Sequence, residues 1–247
     1  IYRTLRAVAA CKMTHRSKAM SMKKFFLVAA LMVATITASA QREAGTLTLQ
    51  PKIGGGLTNI TNLEGPSLGI GNEKIDKKLN AGGLAGIELE YQFTPMFSVA
   101  AGLTYTIQGA ALKDYKMIVG TGYAEMKDMS TQLQYVNLPI VANCYLASGF
   151  AVKAGIQFGL LTSATEKYEL ETNVPALSAM AGKYESSDFK NECKKLDVSI
   201  PIGASYEFSN VVIDARYHLG LTKINKEGSE SYKNSVFMLT IGYKFDI

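Results

Sequence analysis

The sequence predicts an all-β fold, an eight-stranded antiparallel transmembrane up-and-down β-barrel. Three observations predict it. From Thr46 onward apolar residues recur with period two in long stretches, short turns alternate with long polar loops between these stretches, and aromatic residues gather on the apolar faces. Strands of soluble proteins usually have about five or six residues, whereas about 11 or 12 tilted residues cover the roughly 25 Å apolar band of a membrane barrel.

Eight stretches of the chain carry the period-two pattern. In residues 211–222, for example, Ile213 and Leu219 belong to an apolar face, and Asp214 and Arg216 belong to the opposite, polar face. Because alternate residues of a strand point to opposite sides, each stretch has one apolar face and one polar face. The predicted strands are residues 46–58, 83–93, 97–108, 131–146, 150–161, 196–208, 211–222 and 237–247.

The connections between the predicted strands alternate in length. Thr94-Pro95-Met96, Ala147-Ser148-Gly149 and Ser209-Asn210 are tight turns, whereas residues 59–82, 109–130, 163–195 and 225–233 are long and polar. Membrane barrels show this alternation, with short periplasmic turns on one rim, long extracellular loops on the other and both termini on the short-turn side.

Residues 22–40 are predicted to be a secretory signal peptide. Met22-Lys23-Lys24 is followed by an apolar run over residues 25–34, and Ala38 and Ala40 supply the small side chains of a cleavage site. The run is shorter than the roughly 20 residues of a transmembrane helix. Residues 1–21 fit no targeting pattern and are interpreted as an upstream, non-native extension, which leaves residues 41–247 as the barrel domain.

The basic charge of the chain lies in its first 40 residues. They contain seven of the 26 basic residues and no acidic one, so 19 basic residues face 21 acidic ones from Gln41 onward. The predicted barrel therefore lacks the electrostatic footprint of a nucleic-acid-binding domain.

Aromatic residues are expected to form girdles at the two membrane interfaces. Seven of them lie on apolar faces beside the short turns: Phe93, Phe97, Phe150, Tyr206, Phe208, Tyr243 and Phe245. The best candidates for the outer girdle are Tyr105 and Phe237.

Cys144 and Cys193 are the two cysteines of the predicted barrel domain. An exported protein can form disulfides, but the strand map places these residues at opposite ends of a barrel wall, farther apart than the roughly 5 to 6 Å Cα separation that a disulfide requires. We predict two free thiols.

The polar faces are expected to line the interior and to carry charges of both signs. An eight-stranded barrel is just wide enough inside for side chains to fill it, so these charges favour a salt-bridged plug over a selective pore or a proton path. Arg216 is the predicted centre of the network, flanked by Asp214. The inward residues are Glu88, Glu90, Asp197, Glu207 and Asp214 with Lys52, Lys153, Arg216 and Lys244.

An enzymatic role would depend on His218, the single histidine after the predicted signal peptide. Some eight-stranded outer membrane barrels act on lipid A, but no serine stands at a spacing that makes an obvious pair with His218. A packed, hydrogen-bonded histidine is the preferred interpretation. His-Glu-x-x-His, Cys-x-x-Cys and Walker motifs are missing from the sequence, so we expect a non-enzyme without catalytic, cofactor or metal sites.

Several motifs resemble those of the PorT-like outer membrane β-barrel proteins of Bacteroidota. They are Tyr135-Val136-Asn137-Leu138-Pro139, Ala154-Gly155 with Gly159-Leu160-Leu161, and Asp214-Ala215-Arg216-Tyr217 with Leu219-Gly220-Leu221-Thr222. The resemblance covers most of residues 41–247. It implies an outer membrane barrel, a link to type IX protein secretion and gliding as in named members of the family, and no catalytic residues.

The sequence therefore favours an outer membrane barrel that acts as a structural or binding scaffold, with an accessory role in type IX-like secretion. The alternatives are a narrow porin-like channel and, less favoured, a lipid A-modifying enzyme. A lipocalin-like soluble barrel would need the apolar faces inside. The expected partners are outer membrane lipid, the barrel assembly machinery and secretion components, without nucleic acid, and the chain is expected to be a monomer.

Overall fold

The computed structural model describes residues 42–62, 77–186, 189–228 and 230–247. The predicted extension (1–21) and signal peptide (22–40) lie outside these residues. Eight long strands form the wall: β1 Leu47–Thr61, β2 Asn80–Thr94, β3 Phe97–Leu112, β4 Gly122–Ala147, β5 Phe150–Thr172, β6 Leu196–Phe208, β7 Val211–Gly220 and β8 Lys233–Tyr243.

The eight wall strands pair in chain order and close into a ring. Each strand is antiparallel to its neighbours, and β1 closes the ring by pairing with β8, where Lys52 lies opposite Gly242. The predicted up-and-down barrel is confirmed. Short turns join β2 to β3, β4 to β5 and β6 to β7, which defines a short-turn rim; the opposite end is the long-loop rim.

The turn from β6 to β7 shows how the sequence sets this geometry. Ser209 and Asn210 have φ angles of 46° and 70°. Two consecutive left-handed residues are typical of a type I′ turn, whose twist matches that of the strands it joins. The two-residue loop therefore fixes the register in which Val211 lies opposite Phe208.

Strands β4 and β5 are much longer than predicted. Residues 122–130 and 163–172, assigned to loops from the sequence, continue the ladder between β4 and β5. Short strands Tyr115–Val119 and Gly182–Ser186 pair with its two sides and complete a four-stranded sheet beyond the barrel. In residues 122–130 the apolar residues Tyr123, Ala124, Met126 and Met129 do not follow a period of two, and residues 163–172 are mostly polar, so both stretches lack the apolar alternation on which the prediction depends.

The orientation of the side chains agrees with a membrane barrel. Ile213, Leu219 and Ile241 are 51%, 42% and 53% exposed on the outside, whereas Arg216 and Glu88 are 4% and 2% exposed. The oily faces therefore point outward and the charges inward, the reverse of a lipocalin.

Aromatic side chains lie on the outer face beside the short turns, as predicted. The rings of Tyr91 and Phe93 pack edge-on at 4.8 Å, and the rings of Tyr243 and Phe245 are also 4.8 Å apart. Tyr105 and Phe237 are exposed nearer the long-loop rim. In the described part of the chain, no helix is long and apolar enough to cross a membrane.

Candidate functional site: a charged interior beneath an apolar cap

The first charged group lies near mid-barrel and is centred on Arg216. Its guanidinium donates to both oxygens of Glu88, at 2.7 and 2.9 Å, and to Asp214 Oδ2 at 2.8 and 3.1 Å. Lys52 donates to Glu88 at 2.5 Å and Lys153 to Asp214 at 2.8 Å. Two carboxylates and three cations thus form one buried group, which we call the central brace (Lys52, Glu88, Lys153, Asp214 and Arg216).

The second charged group lies at the short-turn rim and is centred on Lys244. Its ammonium lies 2.8 Å from Glu90 Oε2 and 2.9 Å from Glu207 Oε2, and it donates to the Tyr145 hydroxyl at 2.9 Å. The hydroxyls of Ser98 and Tyr145 each donate to Glu90 Oε1 at 2.5 Å. These residues form the rim cluster (Ser98, Glu90, Tyr145, Glu207 and Lys244).

Arg42 completes the rim cluster and was not predicted. Its guanidinium donates to Glu207 Oε1 at 3.0 Å, to Asn210 Oδ1 at 3.1 Å and to Asp246. Arg42 precedes the first strand, so strand periodicity carries no information about it. It links the start of the barrel domain to the turn after β6 and to the last residues of the chain.

The nine charged residues predicted to face inward are all buried inside the barrel. Their hydrogen bonds and ion pairs within the described residues form two groups, so Glu90, Glu207 and Lys244 belong to the rim cluster rather than to a single network around Arg216. The inward acid Asp197 belongs to neither, since its carboxylate accepts a 3.0 Å hydrogen bond from Thr222.

His218 is packed inside the barrel, as expected. Its Nδ1 atom is buried without a hydrogen-bond partner among the described residues. Beside it lies a cavity of about 10 Å³, also lined by Thr104, Thr240 and residues of the central brace. Such a volume is near the minimum for one water molecule.

An apolar cluster fills the barrel at the long-loop rim. Residues 190–192 form a turn of 3-10 helix, and Cys193 after it forms a β-bridge with Asn225, so the two loops join above the lumen. Cys193 points into the cluster and is 3% exposed. The buried members of this apolar cap are Ile60, Ala110, Leu133, Tyr135, Leu161, Ala164, Cys193 and Ile224.

Burial also determines the chemistry of the capped thiol. Burial, reinforced by the neighbouring Glu192 carboxylate, raises the pKa of Cys193 to about 11. Cys193 and Cys144 are both free thiols, as predicted. In the described part of the chain, no three His, Cys, Asp or Glu side chains are grouped to hold a metal ion.

Three solved structures illustrate the similarity of this fold to known barrels. Ail of Yersinia pestis is 16% identical, covering 82% of this chain and 99% of its own, with a TM-score of 0.42. Neisserial surface protein A is 13% identical, covering 81% and 97%, with a TM-score of 0.40. Outer membrane protein W of E. coli is 15% identical, covering 83% and 100%, with a TM-score of 0.32.

No curated protein matches the chain in sequence. The family model of the outer membrane protein beta-barrel domain matches residues 39–226, which is most of the chain and includes seven of the eight wall strands. Together with the closed ring of strands and its outward apolar faces, this match shows that the chain belongs to the outer membrane protein β-barrel domain family and is a protein of the outer membrane.

Proposed function

We propose that the protein is a closed, non-conducting barrel that acts as a structural and binding scaffold in the outer membrane. The observation that carries the proposal is the central brace. Arg216 on β7 binds Glu88 on β2, and Asp214 on β7 binds Lys153 on β5. Strands β2, β5 and β7 are not neighbours in the ring, so these bonds cross the lumen rather than follow the wall.

The composition of the brace also supports a plug. A selective pore needs a ring of like charges and a continuous water path. Here charges of opposite sign are paired at hydrogen-bond distance, and the adjacent cavity measures about 10 Å³. The apolar cap covers the lumen nearer the long-loop rim.

Single-channel recording in planar lipid bilayers tests the closed barrel. We expect the purified protein to insert without steady openings, under conditions in which a general porin conducts. Steady, voltage-independent openings would contradict the proposal and support the alternative of a narrow channel. Arg216→Ala is the positive control and should conduct more readily, since loss of the brace removes the charged group that crosses the lumen.

The accessory role in secretion rests on the resemblance to PorT-like proteins. The four-stranded sheet beyond the barrel supports it, because β4, β5 and the two short strands offer a broad surface outside the membrane. A deletion strain should lose secretion of exported cargo while its envelope remains intact. Normal secretion with a leaky envelope would favour a purely structural role.

The lipid A-modifying alternative depends on His218. We expect lipid A from strains carrying the wild-type protein and His218→Ala to have the same acyl chains, because Nδ1 of the buried His218 has no hydrogen-bond partner among the described residues. A change in acylation that disappears with His218→Ala would support the enzyme instead. The proposed partners are outer membrane lipid around the wall and the assembly machinery during insertion, with the barrel working as a monomer.

A further inference from the structure

A pocket opens in the apolar cap and has no role in the closed barrel itself. It measures about 170 Å³ and is partly open. Ile60, Leu133 and Ile224 supply an aliphatic floor, and Phe189 and Tyr232 pack against the same cluster from the side. The pocket lies between β1, β4 and the two joined loops, so barrel strands and loops both build it.

We propose that this pocket binds a small, uncharged, apolar molecule about the size of a single aromatic ring. The proposal builds on the scaffold function by naming the class of ligand that the long-loop rim takes. An apolar cavity of about 150 Å³ lined by Leu, Ile and Phe stays dry and binds benzene. The pocket in the cap has a similar volume and a similar floor.

The polar groups at the pocket are arranged to leave its floor dry. Asn225 donates to the carbonyls of Glu227 and Glu230 and accepts from the backbone of Tyr232, so its amide is committed to the loop. Glu192 also lines the pocket and is exposed, which disfavours an anionic ligand. Burying a charged group against Ile60 and Leu133 would be costly.

The pocket is closed at its lower end and does not continue into the barrel lumen. Tyr135 and Leu161 are nearly inaccessible beneath it, and the central brace crosses the lumen deeper in the barrel. A molecule that enters the pocket therefore contacts the cap and goes no farther. Cys193 lines the pocket, so its side chain is well placed for changing the pocket volume.

Methyl NMR of the full barrel in lipid nanodiscs, titrated with benzene, tests the proposal. We expect the methyl signals of Ile60, Leu133 and Ile224 to shift and saturate together. The lipid-facing methyl of Ile213 is the control for benzene dissolved in the bilayer and should shift linearly. Benzenesulfonate should give no saturable shift. Cap methyl signals that shift linearly like that of Ile213 would overturn the proposal. Binding of benzenesulfonate as tight as that of benzene would also overturn it.

Two substitutions of one residue provide matched variants. Cys193→Met should weaken benzene binding by about tenfold or more, because the longer side chain fills part of the pocket. Cys193→Ser keeps the size and should bind within about twofold of wild type. If Cys193→Met fails to fold, Thr131→Leu at the rim makes the same test. Unchanged affinity in the folded filling variant would contradict the proposed site.

The titration is also independent of conductance. A protein that conducts yet shows saturable, Cys193→Met-sensitive shifts would contradict the closed barrel and uphold the pocket. A barrel that does not conduct and shows no saturable shifts would uphold the closed barrel and contradict the pocket.

Discussion

The guanidinium of Arg216 and the carboxylate of Glu88 form a two-point contact, with Nη1 2.7 Å from Oε1 and Nη2 2.9 Å from Oε2. The residues are 128 positions apart in the chain and sit on β7 and β2, which are separated by two strands in the ring. Parallel hydrogen bonds of this kind fix the orientation of both planar groups. The contact therefore holds opposite parts of the wall at a set distance.

Removing the centre of the brace should destabilise the barrel strongly. Arg216→Ala leaves Glu88 and Asp214 with only lysine partners in a buried setting, for an expected loss of about 3 kcal/mol or more in the free energy of unfolding. The measurement is urea unfolding in lipid vesicles followed by circular dichroism. The stability of Arg216→Lys should lie between those of the wild type and Arg216→Ala, since lysine keeps the charge but not the two-point geometry. Wild-type stability in Arg216→Ala would refute the brace.

The pair formed by Lys153 and Asp214, at 2.8 Å, allows a double-mutant cycle. Lys153→Met and Asp214→Asn combined should cost about 1 to 3 kcal/mol less than the sum of the single losses, because the two residues share one interaction. Lys153→Met with Lys244→Met is the control, and its losses should add within about 0.5 kcal/mol if the central brace and rim cluster are independent. Coupling in the control would mean that the two groups act as one network.

Gly149 should tolerate no side chain in the turn between β4 and β5. Its φ is +74°, and a Cβ there would lie 2.2 Å from the carbonyl oxygen of Glu207. Gly120 has a similar φ of +63° but open space around it. Gly120→Ala should cost about 1 to 2 kcal/mol from backbone strain alone, and Gly149→Ala should cost at least twice as much. Equal losses in the same unfolding assay would argue against the close contact.

The reactivity of Cys193 should depend on pH in a way that reports its burial. In a variant in which the two other cysteines of the chain, Cys11 and Cys144, are replaced by serine, the rate of alkylation should rise about tenfold per pH unit and level off near the raised pKa of about 11, because only the thiolate reacts. In the urea-unfolded chain the rate should level off near the ordinary value of about 8.5. Because the Cys193 thiol has a lower pKa in the unfolded chain than in the folded one, its deprotonation favours unfolding above about pH 8.5. A folded protein that levels off near pH 8.5 would contradict the buried thiol.

Alternation of side chains predicted the wall well because a membrane barrel imposes one rule on every strand. Ile213 outside and Arg216 inside follow directly from that period. The rule does not apply where the apolar residues of a strand lose the period of two, so the sequence predicts a loop for residues 122–130 of β4. It also says nothing about Arg42, which lies outside any strand and takes its place through contacts with Glu207 and Asp246.

The sequence by itself determined which residues face lipid and which face the lumen, since strand pleating converts a period of two into two chemically distinct walls. The tertiary structure decided which of the inward charges meet. Closure of the ring places Glu88 opposite Arg216, separates Lys244 into the rim cluster, and brings the segment before Cys193 over Ile60 and Ile224. These relationships depend on distances across the lumen, and such distances exist only once all eight strands have closed.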